Sequence, residues 1–288
     1  MPLLKEQLAL FSVNGNVSTP KVQPQTKQKN FIFEYQDKSI CLKQDDCIHF
    51  LQTLPPNSVD LIVTDPAYSG MNKHLELGRG RIIGKYSAKG TENGKWFAEF
   101  EDSEENYRTF LSECRRVLRT ENGHIYIMFD SYSLLTLGAV VREYFDVKNL
   151  ITWDKINIGM GHYYRRRHEY IIFSTNGNTH KLRNQSFPDV WRFKRIHRAK
   201  YPTQKPVELF QTMIHASTED GFTVCDPFMG SGSSAIAAIK NNCNFIGCDV
   251  AEKAITISHE RIKAFLESGI DTLQKKEAHI PNEKLFWM

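Results

Sequence analysis

Residues 65–68, Asp65-Pro66-Ala67-Tyr68, bring together an acid, a proline and an aromatic ring directly after an apolar run at 59–63. The apolar run predicts a buried strand, and open α/β sheets bind ligands at the carboxyl ends of their strands. The carboxylate and a backbone carbonyl can accept hydrogen bonds from an amine, while the ring can stack on a flat heterocycle. An ordinary strand-to-turn exit is the alternative, because Asp-Pro is common in turns.

A second candidate site is the run Asp226-Pro227-Phe228-Met229-Gly230-Ser231-Gly232, which follows a predicted strand and opens a predicted helix. Its Gly-x-Gly turn lets a ligand approach the backbone closely. The next predicted strand ends at Asp249, at a spacing where an acidic residue can accept hydrogen bonds from ribose hydroxyls. Because the full dinucleotide-binding glycine set is missing, a nucleoside-like cofactor fits better than NAD. A tight turn without a ligand is the alternative.

The two motifs in one chain resemble the amino-methyltransferases of DNA, which act on adenine N6 or cytosine N4. That family has a catalytic signature Asp/Asn/Ser-Pro-Pro-Tyr/Phe and a cofactor signature Asp-Pro-Phe-x-Gly-x-Gly. The catalytic element comes first here, which resembles the circularly permuted β group. Several blocks agreeing in order make chance a poor explanation. The further blocks that resemble the family are Asp46-Cys47, residues 58–63, Arg116-Val117-Leu118 with Gly123, Trp153-Asp154-Lys155, His168-Glu169-Tyr170 and Tyr201-Pro202-Thr203-Gln204-Lys205-Pro206.

The resemblance implies methyl transfer from S-adenosylmethionine to an exocyclic base amine, as in restriction–modification enzymes, with no metal. Asp65 and the Pro66 carbonyl would accept the two amine hydrogens, and Tyr68 would stack on a base flipped out of the duplex. The cofactor residues that the family match implies are Asp226, Phe228, Gly230 and Gly232 near the methionine, Asp249 on the ribose, Asp46 at the adenine end, and Thr203 with Lys205 at the methionine carboxylate.

The acid at the first motif position favours adenine, because cytosine-N4 members of the family more often carry Ser there. We therefore expect a DNA adenine-N6 methyltransferase. Methylation of cytosine N4 or of RNA, and a non-enzymatic nucleic-acid-binding protein on the same fold, stay open as alternatives. Intact Asp65, Tyr68 and Gly230 argue against the non-enzymatic protein. Ala67 replaces the usual second proline, which predicts a less rigid loop.

Strands that alternate with helices predict an α/β protein with a largely parallel sheet. By resemblance this is a Rossmann-like methyltransferase fold with a circularly permuted sheet. Residues 1–30 are expected to form a flexible tail, and 31–288 a single catalytic domain. The predicted strands are 39–42, 59–63, 124–129, 150–153, 170–174, 223–225 and 245–248, and the predicted helices are 46–54, 104–118, 133–144, 206–217, 233–240 and 252–266.

The composition is that of an ordinary soluble globular protein, with 41% hydrophobic and 24% charged residues among 288. No apolar run approaches membrane-spanning length, and no signal pattern opens the chain. Six cysteines are scattered without metal-ligand spacing, which predicts a reducing cytosol with free thiols. By the family resemblance, we expect a cytoplasmic protein of bacterial, phage or mobile-element origin.

Two stretches interleave basic and aromatic side chains in a way that suits phosphate contact and base stacking on double-stranded DNA. They are the predicted loops at about 69–100 and 155–200, and solvated charge is the alternative for each residue. The candidate DNA contacts are Lys73, Arg79, Arg81, Lys85, Tyr163, Arg165, Arg166, Arg167 and Arg195. Only residues 176–200 separate the later family-like blocks, too few for a recognition domain, so short or relaxed target specificity is expected.

The predicted tail contains one apolar patch, Gln7-Leu8-Ala9-Leu10-Phe11. It resembles the short peptide by which bacterial DNA enzymes bind the replication sliding clamp, and such peptides act in flexible segments. A stray apolar turn, or a strand docked on the domain, is the alternative. The sequence thus gives double-stranded DNA, the sliding clamp and a second copy of the chain as candidate partners.

Overall fold

The computed structural model describes residues 29–68, 100, 103–159, 164–177, 181–196, 199, 201 and 203–274. Several sequence predictions lie outside these residues: the tail up to residue 28 with its clamp-binding peptide, and most of the 69–100 loop. The DNA contacts that lie outside the described residues are Lys73, Arg79, Arg81, Lys85 and Tyr163.

Strands and helices alternate through most of the described chain. The strands are β1 (Asn30–Tyr35), β2 (Lys38–Gln44), β3 (Leu61–Thr64), β4 (Gly123–Phe129), β5 (Asp146–Asp154), β6 (His168–Asn176), β7 (Val190–Arg192), β8 (Thr223–Asp226) and β9 (Asn244–Asp249). The helices are α1 (Cys47–Gln52), α2 (Glu104–Val117), α3 (Ser131–Tyr144), α4 (Val207–Ser217), α5 (Ser233–Lys240) and α6 (Glu252–Ser268). None of these described helices combines the length and the apolar character that crossing a membrane requires.

The strands form one sheet in the order β1-β2-β9-β8-β3-β4-β6-β5-β7. All neighbours from β2 to β4 are parallel, whereas β1 and β6 run antiparallel to their neighbours. β3 pairs directly with β8, although β8 lies far downstream in the chain: Leu61 is opposite Val224 and Ile62 is opposite Cys225. The mostly parallel, permuted sheet expected from the sequence is confirmed.

The sheet is covered by helices on both faces, and β3 illustrates why its sequence is continuously apolar. Leu61 and Val63 belong to the core that also contains residues of α4, α5 and α6. Ile62 points the other way, into the core that also contains residues of α1, α2 and α3. Successive side chains of a strand alternate between faces, so a strand buried on both faces needs apolar residues throughout.

The sequence does not predict β1 and β7, the two edge strands of the sheet. β1 alternates exposed and half-buried side chains, and Phe31 stacks on His259 with ring centroids 4.0 Å apart. β7 has three residues, of which Trp191 is buried. Such short edge strands are fixed by packing on their neighbours rather than by a local pattern.

Acidic residues gather at one edge of the sheet. Parallel strands have their carboxyl ends at the same edge, and ligand sites of open α/β sheets lie there. Each of the central parallel strands ends in an acid or is followed by one. These acids are Asp45 and Asp46 after β2, Asp65 after β3, Asp130 after β4, Asp226 at the end of β8 and Asp249 at the end of β9.

Candidate active site

The catalytic loop, by which we mean residues 65–68, begins directly after β3. The Tyr68 N–H donates to the Pro66 carbonyl at 2.9 Å, which closes a three-residue turn centred on Ala67. The Ala67 carbonyl accepts a hydrogen bond from the Phe100 N–H at 3.1 Å. A carbonyl oxygen can accept two hydrogen bonds. The Pro66 carbonyl, the predicted second acceptor for the base amine, therefore has capacity left beyond the turn.

Tyr68, the predicted base-stacking residue, belongs to an aromatic cluster. Its side chain is only 7% exposed, and its ring stacks on Phe129 with centroids 5.2 Å apart and planes 14° apart. Tyr107 approaches the Tyr68 ring edge-on at 6.3 Å. The pKa of Tyr68 is raised well above its ordinary value, mainly by burial and to a smaller extent by Tyr107. Its phenol is therefore neutral at physiological pH, and Phe129 holds the orientation of its ring.

The same aromatic cluster reaches the cofactor loop, by which we mean residues 226–232. Phe100 contacts Tyr107 edge-on at 6.5 Å and Phe228 edge-on at 5.3 Å. One end of this chain of rings is Tyr68 in the catalytic loop, and the other is Phe228 in the cofactor loop. Because protein interiors are closely packed, the two loops hold each other at a fixed separation.

Asp65 lies in a series of alternating charges. The Lys205 ammonium donates a hydrogen bond to Asp65 Oδ2, and Glu169 Oε2 lies 3.7 Å from the same ammonium. Burial raises the pKa of Asp65 despite Lys205, and the charges of Glu169 and Asp130 raise it further. Burial opposes the charged form of Lys205, but its two carboxylate neighbours outweigh burial and raise its pKa. The ammonium of Lys205 therefore stays charged.

Asp226 supports the cofactor loop from behind. Its carboxylate is 1% exposed and accepts hydrogen bonds from the Ser234 hydroxyl at 2.5 Å and the Phe228 N–H at 3.0 Å. Burial raises the pKa of Asp226 to about 7, against both hydrogen bonds. Gly230 and Gly232 have φ values of 50° and 76°, a region that glycine enters without steric cost. The local sequence thus explains the sharp turn.

The backbone of the cofactor loop is held by side chains from β9 and α6. Asp249 Oδ2 accepts from the Gly230 N–H at 3.0 Å, and the Ser258 hydroxyl donates to the Gly230 carbonyl at 2.8 Å. Buried Arg261 donates to the Ser231 carbonyl at 2.9 Å. Burial raises the pKa of Asp249 to about 6, although its two backbone N–H partners oppose the shift.

Asp45 and Asp46 differ in their surroundings at the start of α1. Asp46 is exposed and caps the helix, accepting from the N–H groups of Ile48 and His49 at 2.9 and 3.2 Å. Asp45 is buried and pairs with Lys43 at 2.8 Å. Asp46, the residue predicted to contact the cofactor, is thus the one of the two that a ligand can reach.

A cavity of about 330 Å³ lies between the catalytic and cofactor loops. Small-molecule sites span about 300–1,000 Å³. Asp65 lines this cavity together with most of the predicted cofactor residues, which are Asp46, Thr203, Lys205, Phe228, Gly230 and Asp249. Carboxylates at Asp46 and Asp249 can accept from hydroxyl and amine groups, and an aromatic ring faces the same space. This set of groups fits the nucleoside part of S-adenosylmethionine.

The predicted roles of Thr203 and Lys205 at the methionine carboxylate stay predictions. Both line the cavity, and Thr203 is exposed with a φ of 59°. The Lys205 ammonium, however, is placed against Asp65. The Lys205 carbonyl accepts from the Ser233 hydroxyl at 2.8 Å, which ties this segment to the start of α5.

The described arginines among the predicted DNA contacts differ in their partners. Arg167 is bonded to Asp154 through two hydrogen bonds of 2.6 Å, and this pairing lowers the pKa of Asp154. Arg165 is exposed and donates to the Gly159 carbonyl at 2.8 Å. Buried nitrogen atoms of two others have no hydrogen-bond partner within the described residues: Arg166 Nη1 and Arg195 Nε.

A family model described as DNA methylase, N6_N4_Mtase, matches residues 59–260, which include the catalytic loop and the cofactor loop. The chain belongs to this family. The resemblance found in the sequence is therefore confirmed, and the chain is a DNA amino-methyltransferase that uses S-adenosylmethionine.

Similar proteins include type II methyltransferases from several bacteria. M2.DpnII of Streptococcus pneumoniae is 28% identical over 259 residues, which cover 82% of this chain and 94% of that protein. M2.MboI of Moraxella bovis is 29% identical over 253 residues, which cover 80% of this chain and 89% of that protein. M.HpaI of Haemophilus parainfluenzae is 29% identical over 267 residues, which cover 83% of this chain and 78% of that protein. The methyltransferase therefore matches its relatives over most of their length.

Solved structures share its fold. A complex of M1.HpyAVI with SAM has a TM-score of 0.54 and 22% identity, covering 77% of this chain and 99% of that one. TTHA0409 from Thermus thermophilus, complexed with S-adenosyl-L-methionine, has a TM-score of 0.54 and 18% identity, covering 78% and 93%. The cytosine-N4-specific PvuII DNA methyltransferase has a TM-score of 0.57 and 14% identity, covering 83% and 88%. The expected Rossmann-like methyltransferase fold is confirmed.

The sequence assigns no role to three residues that support the site of this methyltransferase. Glu169 and Lys155 stand in family-like blocks, yet nothing local connects them with Asp65. Arg261 lies on α6, and the sequence does not distinguish a buried arginine on a helix from an ordinary solvent-exposed one. The only signal for Arg261 is its place on the apolar face of the helix, beside buried Ile262 and Ser258.

Proposed function

We propose that this methyltransferase methylates the N6 amine of adenine in double-stranded DNA. The observation that carries the proposal is the Asp65 carboxylate, which lines the same cavity as the cofactor loop. By the resemblance given above, a carboxylate at this position favours adenine, whereas cytosine-N4 enzymes more often carry Ser. Methylation of cytosine N4 is the alternative outcome.

Asp65 and Pro66 provide the hydrogen-bond acceptors for the base amine. An exocyclic amine is a poor nucleophile, because its lone pair is delocalised into the ring. Asp65 accepts one amine hydrogen and the Pro66 carbonyl accepts the other, so the nitrogen becomes more pyramidal and its lone pair points at the methyl donor. Preorganised acceptors also stabilise the positive charge that develops on the nitrogen, and positioning supplies much of the remaining rate.

Bound S-adenosylmethionine supplies an electrophilic methyl group in this cavity. The chain's own residues hold and orient it. Asp249 accepts hydrogen bonds from the ribose hydroxyls with the lone pairs that its two backbone N–H partners leave free. Asp46 lies at the adenine end. The residues that shape the methionine end are Asp226, Phe228, Gly230 and Gly232, with Thr203 nearby.

By the family resemblance, Tyr68 stacks on the target base, which has to leave the duplex before it can enter such a site. Tyr68 is 7% exposed and lies beside the cavity rather than among the residues that line it. Phe129 stacks on the Tyr68 ring with centroids 5.2 Å apart, a contact that favours this ring orientation. Because the phenol stays neutral, Tyr68 contributes a π surface rather than a charge.

The end of β5 at Asp154 and the start of β6 at His168 lie at the same edge of the sheet as Asp65. Asp154 pairs with His168, and Tyr170 of β6 pairs with Phe129 at the end of β4. The DNA backbone is contacted from this side by Arg165, Arg166 and Arg195. Arg167 contacts it as well, once its hydrogen bonds to Asp154 are broken. Such contacts read no bases by themselves, which supports short or relaxed specificity. Sequencing methylated plasmid DNA tests this, and a long, strict recognition site contradicts it. The homodimer and the sliding clamp stay predictions.

Nucleoside mass spectrometry decides the target base. Unmethylated plasmid is incubated with the full chain and S-adenosylmethionine, digested to nucleosides and compared with standards of N6-methyladenine and N4-methylcytosine. We expect N6-methyladenine alone. The control is Asp65→Ala, which removes both acceptor oxygens of the side chain. N4-methylcytosine as the product contradicts adenine as the target, and an equal yield from the control contradicts the role of Asp65.

A further inference from the structure

Four charged side chains of alternating sign form a chain that leads away from the base-amine acceptor. Lys155 Nζ lies 2.9 Å from Glu169 Oε1, Glu169 Oε2 lies 3.7 Å from Lys205 Nζ, and Lys205 donates to Asp65 Oδ2. Lys155 follows β5, Glu169 is in β6 and Lys205 precedes α4. Residues far apart in sequence therefore converge on one carboxylate.

The two lysines are the most enclosed members of this chain. The side chains of Lys205 and Lys155 are each 13% exposed, against 24% for Glu169 and 26% for Asp65. Lys155 also lies 5.9 Å from the centre of the Trp153 ring, a favourable distance for a cation and an aromatic face. Enclosed charges without partners are costly, so each member needs the next one.

We propose that Lys205 is the positioning residue for Asp65: it keeps this carboxylate ionised and fixes its orientation, while Glu169 and Lys155 hold Lys205 in place. This inference rests on the proposed function, in which Asp65 accepts a hydrogen from the base amine. A protonated Asp65 would present a hydroxyl in place of one acceptor oxygen. With Oδ2 bonded to Lys205, Oδ1 is the oxygen left for the amine.

Electrostatics explains why Asp65 needs this cation. Its burial favours the neutral acid, and the anions that face it do the same: Glu169 from β6 and Asp130 after β4. Asp226, at the end of β8, also interacts with it. Tyr68 in its own loop is a neutral phenol. Lys205 is the cation that opposes all of these at Asp65, both by its charge and by its hydrogen bond.

The backbone of Lys205 couples this charge to the cofactor site. Its carbonyl accepts from the Ser233 hydroxyl at the start of α5, and Ser233 also accepts from Arg261 at 3.0 Å. The backbone that carries this ammonium is thus anchored to the structure that forms the cofactor loop. The competing role for Lys205 is the methionine carboxylate. The two roles differ in one measurable property, because only the competing role makes cofactor affinity depend on the ammonium.

Carboxyl NMR on protein labelled with 13C-aspartate tests the proposal, with the Asp65 signal assigned by its loss in Asp65→Asn. We expect Lys205→Met to raise the titration midpoint of Asp65 by about 1 to 3 pH units. Lys205→Arg keeps the charge and should hold the midpoint close to the wild-type value. Lys148→Met, which removes an exposed lysine paired with Asp146 in β5, is the matched control and should change nothing.

Rate and affinity measurements complete the test. We expect Lys205→Met to slow single-turnover methyl transfer by roughly 10- to 100-fold, with the acidic limb of its pH profile moved to higher pH, and to leave the cofactor Kd within about twofold. Glu169→Gln added to Lys205→Met should slow it no further, because the lysine that Glu169 holds in place is gone. The double variant should also lower the Asp65 midpoint again, because the Glu169 charge by itself raises the pKa of Asp65. An unmoved Asp65 midpoint, or a raised Kd with an unchanged saturated rate, overturns the proposal. The midpoint reports on Asp65 whichever base is methylated, so it still decides if adenine proves to be the wrong target.

Discussion

The catalytic loop and the cofactor loop face one cavity but are held in different ways. The cofactor loop is fixed through its backbone: the N–H and carbonyl of Gly230 are bonded to Asp249 and Ser258, and the Ser231 carbonyl to Arg261. The catalytic loop has two backbone hydrogen bonds, an ion pair and aromatic packing. One loop is shaped by a dense set of hydrogen bonds, and the other by charge and ring contacts.

This difference separates two properties of the enzyme. A loop held through its backbone keeps its shape across a range of conditions, so changes there should alter cofactor affinity. A loop set by an ion pair responds to the loss of one charge, so changes there should alter the rate of methyl transfer. Removing one preorganised electrostatic partner in an active site typically costs a factor of about 10² to 10³ in rate.

Asp65→Ala should have the largest effect. It removes both acceptor oxygens of the side chain, so we expect single-turnover methyl transfer to fall by roughly 10² to 10³-fold. The cofactor Kd, measured by isothermal titration, should change by no more than about twofold, because the cofactor loop determines cofactor affinity. Asp146→Ala, at an exposed position in β5, is the control. A Kd that rises as much as the rate falls would remove the distinction between the loops.

Arg261→Met tests the cofactor loop from a residue that does not line the cavity. Arg261 is 1% exposed and bonds to Asp271 at 2.6 Å, to the Ser231 carbonyl and to the Ser233 hydroxyl. We expect a rise in cofactor Kd on the order of 30-fold, about 2 kcal/mol, with a much smaller change in the rate at saturating cofactor. Lys263→Met, exposed on the same helix, should leave both unchanged.

Stability has to be separated from loop shape in this variant. The Asp271 side chain is only 4% exposed, and leaving it without its partner costs about 3–5 kcal/mol. Thermal unfolding is therefore followed for Arg261→Met and for the double variant Arg261→Met/Asp271→Asn. The double variant recovers part of the stability but not the hydrogen bond to Ser231. If its cofactor Kd returns to the wild-type value, Arg261 does not shape the loop.

Cofactor binding should weaken in acid because of Asp249. Burial raises its pKa to about 6, so the carboxylate is ionised above that pH and loses its charge as the pH falls through it. Since the ribose hydroxyls donate to the ionised form, we expect the Kd to rise by about tenfold at one pH unit below the midpoint. Asp249→Asn should bind weakly, with no such dependence. A wild-type Kd that is constant through this range contradicts the ribose role.

The sequence predicts the cofactor loop more completely than the catalytic site. Asp226, Gly230 and Asp249 lie within about one βαβ unit, where spacing along the chain determines position in space. The partners of Asp65 come from β6 and from the segment before α4, and only the folded sheet brings Glu169 and Lys205 together. No local pattern encodes such a contact, and the same holds for the edge strands β1 and β7.

Ala67→Pro should have the smallest effect, and it tests the one departure from the family signature. Ala67 is the central residue of the turn closed by Tyr68 and Pro66, and its φ is not positive. Such a turn has φ near −75° and proline fixes φ near −65°, so a proline fits this backbone. Among the described residues the Ala67 N–H donates no hydrogen bond that proline would remove. The hydrogen-bonded turn therefore gives the loop a shape that the family signature obtains with a second proline.

We expect Ala67→Pro to stabilise the fold by about 0.4–1 kcal/mol, through the reduced freedom of the unfolded chain, and to leave the saturated rate within about twofold. Ala67→Gly should shift stability in the opposite direction. Thermal unfolding and single-turnover kinetics on the pair provide the measurement. A rate that falls sharply in the proline variant while stability rises would mean that the catalytic loop must move during the reaction. Its lighter hydrogen bonding, compared with the cofactor loop, would then be a requirement of the reaction.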